Sequence, residues 1–141
     1  MTTRTATARY VGFGKEGKGQ ISTQSGVLDA TPYGFNTRFG DEKGSNPEEL
    51  IAAAHASCFT MALSFALAKA GFSDGTLETS AAVKLEAEGD GFTVTRSDLT
   101  LKAEVPGIAP DQFEALAAGA KANCPISKLL NAEITLTHTL A

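Results

Sequence analysis

The chain has 141 residues, 43% of them hydrophobic and 20% charged, with a net charge of −4 and no tryptophan. That length suits one ordinary core, burying about two-thirds of the unfolded surface, so a single domain over residues 1–141 is expected. The acidic balance lacks the basic footprint that nucleic acid or an anionic membrane surface requires, and neither is expected as a partner.

The N-terminus (Met1-Thr2-Thr3-Arg4-Thr5-Ala6) has no apolar stretch of the secretory kind, which points to a cytoplasmic protein. There, a chain with two cysteines is more often reduced or redox-active than disulfide-stapled.

Thr3 to Val11 is polar and tolerant of β structure, and predicts a strand. Gly12 to Gly19 predicts a turn, and Gln20 to Leu28 resumes strand character. Pro32-Tyr33-Gly34-Phe35-Asn36 breaks regularity, and Thr37 to Ser45 reads as a polar loop. Gly12-Phe13-Gly14-Lys15-Glu16-Gly17 matches a dinucleotide fingerprint letter by letter. A helix must follow for its N-terminus to face a pyrophosphate, whereas a strand-like segment follows here. The near-match to a phosphate-binding loop fails too, because Gly19 stands where a Ser or Thr would hold magnesium. A hairpin turn is the better reading.

Asn46-Pro47-Glu48-Glu49 opens a long helix. Asn46 suits the cap, Pro47 the first turn, and Glu49 the reciprocal position of a capping box. Both glutamates favour the positive end of the helix dipole. Gly71 stops the helix after about 24 residues, or roughly 36 Å. Ile51 to Ala70 is long enough to span a bilayer. It is dominated by alanine and carries His55, Ser57, Thr60, Ser64 and Lys69, so it reads as an enclosed central helix, with Phe59, Leu63 and Phe65 in the core.

From Leu77 to Val105 the period switches to two, turning at Gly89-Asp90-Gly91. A second helix begins near Pro110-Asp111, with Phe113, Leu116, Ala117 and Ala120 on one face. Asn123-Cys124-Pro125 interrupts it, since Pro125 has no N–H to donate. Ile126 to Leu130 makes a further turn, and Glu133 to Leu140 alternates as a last strand. The order ββ-α-ββ-α-β, with antiparallel hairpins, is α+β.

Three chemistries compete for the cysteines. His55, Cys58, Cys124 and His138 supply metal-ligand types without metal-ligand spacing, so no metal or cofactor is expected. His55 and Cys58 stand at i and i+3, where a nucleophile–base pair could touch, although no orienting group for His55 can be named. Thiol redox chemistry needs a thiol tuned by a cation or a helix N-terminus. Cys124, before Pro125 at a new helix start, gains from local N–H groups. Cys58, deep in its helix, is beyond the reach of the dipole. Its cation must come from elsewhere, and Arg38, between Phe35 and Phe39, is a candidate.

At these residues the chain resembles the OsmC branch of the OsmC/Ohr thiol peroxidases. The resemblance runs through Tyr33-Gly34-Phe35-Asn36-Thr37-Arg38-Phe39, Glu42 to Leu50, Ala53-Ala54-His55-Ala56-Ser57-Cys58-Phe59, Pro106-Gly107-Ile108 and Asn123-Cys124-Pro125-Ile126-Ser127. It implies an intertwined homodimer, with antiparallel sheets wrapped around central helices, and a cofactor-free hydroperoxide reductase in oxidative and osmotic stress defence. It further implies that Cys58 attacks an organic hydroperoxide, or hydrogen peroxide, and becomes a sulfenic acid. Cys124 would then resolve it as a Cys58–Cys124 disulfide. Arg38 would hold the thiolate and Glu48 would orient Arg38. A dithiol or lipoyl-bearing protein is the expected reductant. Glu48 and Cys58 lie roughly 15 Å apart along one helix, so Glu48 is expected to serve the partner's Cys58. Tyr33, Phe35 and Phe39 are candidates for an apolar mouth. The alternative to catalysis is a thiol sensor or binding protein that switches shape without turnover.

Overall fold

The computed structural model describes residues 1–141, which divide into two compact units, Met1–Leu50 and Ile51–Ala141. The first unit carries an antiparallel sheet of β1 (Ala6–Val11), β2 (Lys18–Thr23) and β3 (Thr31–Tyr33), in that order. A 3-10 turn at Gly14–Glu16 joins β1 to β2, so the glycine motif is a hairpin connection. Its later glycines are required by close approach. A Cβ on Gly17 would meet the Tyr10 ring at 2.2 Å, and one on Gly19 would meet the Tyr33 ring at 2.5 Å.

Two details differ from the sequence reading. The second strand stops at Thr23, because a turn there returns the chain, with the Thr23 and Gly26 N–H groups donating to the Leu28 and Thr23 carbonyls. The loop after Pro32 contains a short helix, α1 (Phe35–Phe39). It is held by Thr37, whose hydroxyl accepts from the Gly34 N–H at 2.8 Å and donates to the Gly34 carbonyl at 3.1 Å. A polar run with one well-placed threonine can cap a helix too short to show periodicity.

Helix α2 (Pro47–Lys69) starts where the sequence places it: Asn46 Oδ1 accepts the Glu49 N–H at 2.8 Å. It is long and apolar enough to cross a bilayer, yet His55, Phe59, Leu63 and Leu67 form a buried stripe at i, i+4 spacing inside the second unit. That stripe makes α2 a core helix. Phe65 is not part of it. Phe65 is 70% exposed and Met61 62%, because these positions fall on the opposite face of the helix.

The sheet of the second unit has the order β4 (Thr76–Glu88), β5 (Gly91–Glu104), β6 (Glu133–Leu140). The β4–β5 pair is the antiparallel hairpin read from the alternation. β6 pairs with β5 in parallel. The two are joined across α3 (Pro110–Asn123) and α4 (Pro125–Leu129), and a crossover of that length is what a parallel pair needs. On β5, Ser97, Leu99, Leu101 and Ala103 are buried in alternation. Phe59, Leu63, Leu99, Leu101, Phe113, Ala117, Ala120 and Cys124 form one core cluster, with Cys58 packed against it. This is the frame that positions the thiols.

Candidate active site

Both cysteines belong to the second unit and both are free. Cys58 is half-buried on α2, and Cys124 is fully buried between α3 and α4. The fold brings the two thiols near enough for each to perturb the other's ionisation, so two residues far apart in sequence share one site. Pro125 explains how Cys124 is presented. The residue before a proline is driven out of helical geometry, and Cys124 is extended, with φ −61° and ψ 137°. It therefore ends α3 and caps α4, its Sγ accepting the Ser127 N–H at 3.3 Å.

The two thiols are tuned in opposite directions. Burial pushes Cys58 above the ordinary thiol value; the Ile126 N–H opposes this, and the adjoining Cys124 thiol adds to the rise. Burial acts the same way on Cys124, but the Ser127 hydroxyl, the Ser127 N–H, the Cys58 thiol and the Ile126 N–H together outweigh it. Cys124 therefore lies below its ordinary value, for the reason the helix start suggested. Within the second unit Cys58 has only the Ile126 N–H to offset its burial.

The cation and its acid lie in the first unit. Arg38 Nε and Nη2 donate to Glu48 Oε1 and Oε2 at 2.8 and 2.9 Å, a two-point pairing that fixes the guanidinium plane. The Glu48 hydrogen bonds, against a small burial penalty, hold Arg38 above its already high value, so it is charged at every working pH. The Glu48 side chain is 13% exposed and Arg38 35%. The edge of the fork not used by Glu48 remains available to a thiolate or peroxide oxygen. Beside it, Phe35 and Phe39 pack at 5.1 Å between centroids, and Arg38 stands 5.5 Å from the Phe39 ring. A cavity of about 190 Å³ lined by Tyr10, Tyr33, Phe35, Arg38, Phe39 and Pro47 opens here. Tyr33, Phe35 and Phe39, the aromatics named from the sequence, thus line one cavity with Arg38.

Two buried hydroxyls beside His55, those of Ser97 and Ser127, were given no role by the sequence reading. His55 is fully buried, with Nδ1 2.6 Å from Ser97 Oγ and Nε2 2.8 Å from Ser127 Oγ. Ser127 Oγ in turn lies 3.2 Å from Cys124 Sγ. The available signals were phase and spacing. Ser97 shares the inward phase of Leu99 and Leu101, and Ser127 stands three residues after a helix-opening cysteine. No His/Cys/Asp/Glu group of three converges as a metal site would.

An α+β frame presenting a paired, unequally tuned dithiol defines a thiol-based redox protein. The family model for OsmC-like proteins matches residues 40–139. The chain is 52% identical over 133 residues to peroxiredoxin OsmC of Escherichia coli (strain K12), covering 94% of this chain and 93% of that one. It is 33% identical over 138 residues to the organic hydroperoxide resistance protein OhrA of Bacillus subtilis (strain 168), covering 97% and 95%. The crystal structure of Bacillus subtilis OhrB superposes with a TM-score of 0.70 at 28% identity, covering 99% of this chain and 98% of that one. The chain belongs to the OsmC family.

Proposed function

We propose that this protein is a cofactor-free thiol peroxidase of organic hydroperoxides, with hydrogen peroxide as a lesser substrate, working in the cytoplasm as a single OsmC-like domain. The observation that carries the reading is the nearness of two free thiols, unequally tuned, in one site. Cys58 Sγ attacks the O–O bond, releasing an alcohol or water and leaving a sulfenic acid. Cys124 Sγ then attacks Cys58 Sγ, the S–O bond breaks, and a disulfide and water result. A dithiol reductant, free or lipoyl-bearing, reopens the disulfide, because its second thiol releases the mixed disulfide without a third partner. The aromatic cavity beside Arg38 favours an alkyl or aryl hydroperoxide over a fully polar one.

The activating cation is assigned to a homodimer. Cys58 has no charge support within its own unit and is raised by burial, whereas the Arg38–Glu48 pair is fully formed and needs a substrate. The exposed face of α2 carries Met61 and Phe65 in a shallow trough with Ala53, Ser57 and Ser64. An antiparallel partner helix seated there covers this apolar surface and brings the Arg38–Glu48 pair of one protomer to the partner's Cys58. This deepens the cross-subunit expectation: arginine and glutamate travel together.

The test is peroxide consumption with dithiothreitol by the parent, Cys58→Ser and Cys124→Ser, with cumene hydroperoxide and hydrogen peroxide in parallel. We expect no turnover from Cys58→Ser, and a single oxidation event from Cys124→Ser under a monothiol. A parent that consumes neither peroxide would overturn the proposal and favour a sensor or binding role.

A further inference from the structure

The contacts Ser97–His55–Ser127–Cys124 form one continuous hydrogen-bonded chain through the core. All four side chains are buried, and the peroxidase step at Cys58 does not use the first three. The ring of His55 is faced by the Ser97 hydroxyl from β5 and the Ser127 hydroxyl from α4. Neither is charged, and burial alone holds the imidazole neutral by lowering its pKa. A neutral imidazole donates from one nitrogen and accepts at the other, so only two consistent arrangements exist. With Cys124 as a thiol, its S–H donates to Ser127, the Ser127 hydroxyl donates to Nε2, and Nδ1–H donates to Ser97. In the other arrangement, open to thiol and thiolate alike, every bond reverses: Ser97 donates to Nδ1, Nε2–H donates to Ser127, and Ser127 donates to the sulfur. In the second arrangement every hydroxyl hydrogen along the chain has an acceptor.

We propose that Ser127 is a catalytic residue of the disulfide-forming step and His55 its positioning residue, held throughout as the Nε2–H tautomer. The proposal rests on Cys124 being the resolving thiol. The Nε2–H tautomer, held by Ser97, fixes the Ser127 hydroxyl as a donor to Cys124 Sγ. That bond stabilises the negative charge that develops on Cys124 Sγ as it attacks the Cys58 sulfenic acid. Cys124 supplies the electron pair and the S–S bond forms as the S–O bond of Cys58 breaks. The proton lost by Cys124 completes the departing hydroxide as water, so the ring carries no charge at any stage. A buried imidazole that never becomes a cation avoids the desolvation cost that burial imposes on it. The opposite tuning of the two thiols also follows, since Ser127 donates to Cys124 through both its hydroxyl and its N–H.

The experiment oxidises the reduced protein with one equivalent of cumene hydroperoxide and quenches it at intervals. Dimedone traps the sulfenic acid, and mass spectrometry counts sulfenate and disulfide separately. Ser127→Ala should lower the ratio of disulfide-forming to sulfenate-forming rate constants tenfold or more at pH 7. Its disulfide step should recover at higher pH, with a profile displaced upward by about one unit. Ser127→Thr, which keeps the hydroxyl, should restore most of the ratio. In the parent itself, ¹⁵N-histidine spectra across the Cys124 titration should show His55 as the Nε2–H tautomer throughout. A parental ratio in Ser127→Ala across pH 6–9, or a His55 found as the Nδ1–H tautomer, would overturn the proposal. A parent that forms no Cys58–Cys124 disulfide would instead remove the two-cysteine reading beneath it.

Discussion

Phe65→Ala separates the two faces of α2. Phe65 is 70% exposed within the chain, and full burial of a phenylalanine side chain is worth about 1.5–3 kcal/mol. Covering the exposed fraction in a dimer therefore contributes about 1–2 kcal/mol per copy, or about 2–4 kcal/mol for two copies related by symmetry. Truncation should weaken dimerisation about 30- to 700-fold. The fold itself should be spared: with both proteins diluted to monomers, the urea midpoint should move by no more than about 0.5 kcal/mol equivalent. Sedimentation velocity over a dilution series would show dissociation at concentrations where the parent is still dimeric. Peroxidase activity per chain should fall over the same range if the site is assembled from two protomers. Parent and variant dissociating at the same concentration, or a parent monomeric throughout, would refute the assignment of this face.

The shared site can be tested by complementation. Arg38→Ala and Cys58→Ser should each be inactive, yet mixed after subunit exchange they should recover about a quarter of parental activity, because half of the dimers hold one intact site; a site built within one chain would recover none. The depressed pKa of His55 has a stability consequence. Below its ordinary value of 6.5, the unfolded chain binds a proton that the folded chain refuses, so stability falls as the pH drops. His55→Gln should remove up to about 1.4 kcal/mol per pH unit from the slope between pH 6.5 and 5.5, read as urea midpoints; an unchanged slope would contradict a neutral buried ring. Phe59→Ala, at a fully buried position, should cost about 3–5 kcal/mol in the same assay, against almost nothing for Phe65→Ala six residues along the same helix.

The elements legible in the sequence were those with long periods or explicit punctuation. Asn46 and Pro47 marked the start of α2, the alternation from Leu77 to Val105 marked the β4–β5 hairpin, and Pro125 marked the break that presents Cys124. Short elements were hidden. Helix α1 depends on Thr37 closing a single turn, and β3 on three residues pairing with β2; neither is long enough to show a period. Phe65 was misplaced because an alanine-rich helix is apolar on every side, and composition alone cannot say which side the core takes. The parallel pairing of β6 is a tertiary choice, made by the crossover and not by the strand's own pattern. The Arg38–Glu48 pairing emerged through family resemblance, while the hydroxyls of Ser97 and Ser127 acquire meaning only once His55 is placed between them.

The double role of Cys124, at once the last residue before α4 and its cap, reaches into the energetics of electron return. A thiolate accepts hydrogen bonds strongly; a sulfur tied into a disulfide accepts them weakly. In the proposed cycle, forming the Cys58–Cys124 bond therefore weakens the acceptor that α4 has for its Ser127 N–H, and reduction restores it. The folding energy of a five-residue helix is in this way placed on the dithiol side of the couple. A pair whose reduced form is favoured by the surrounding fold is the stronger oxidant. The oxidised protein is thus poised to accept electrons readily, and recovery of the enzyme between turnovers is helped by the same short helix that shelters its second sulfur.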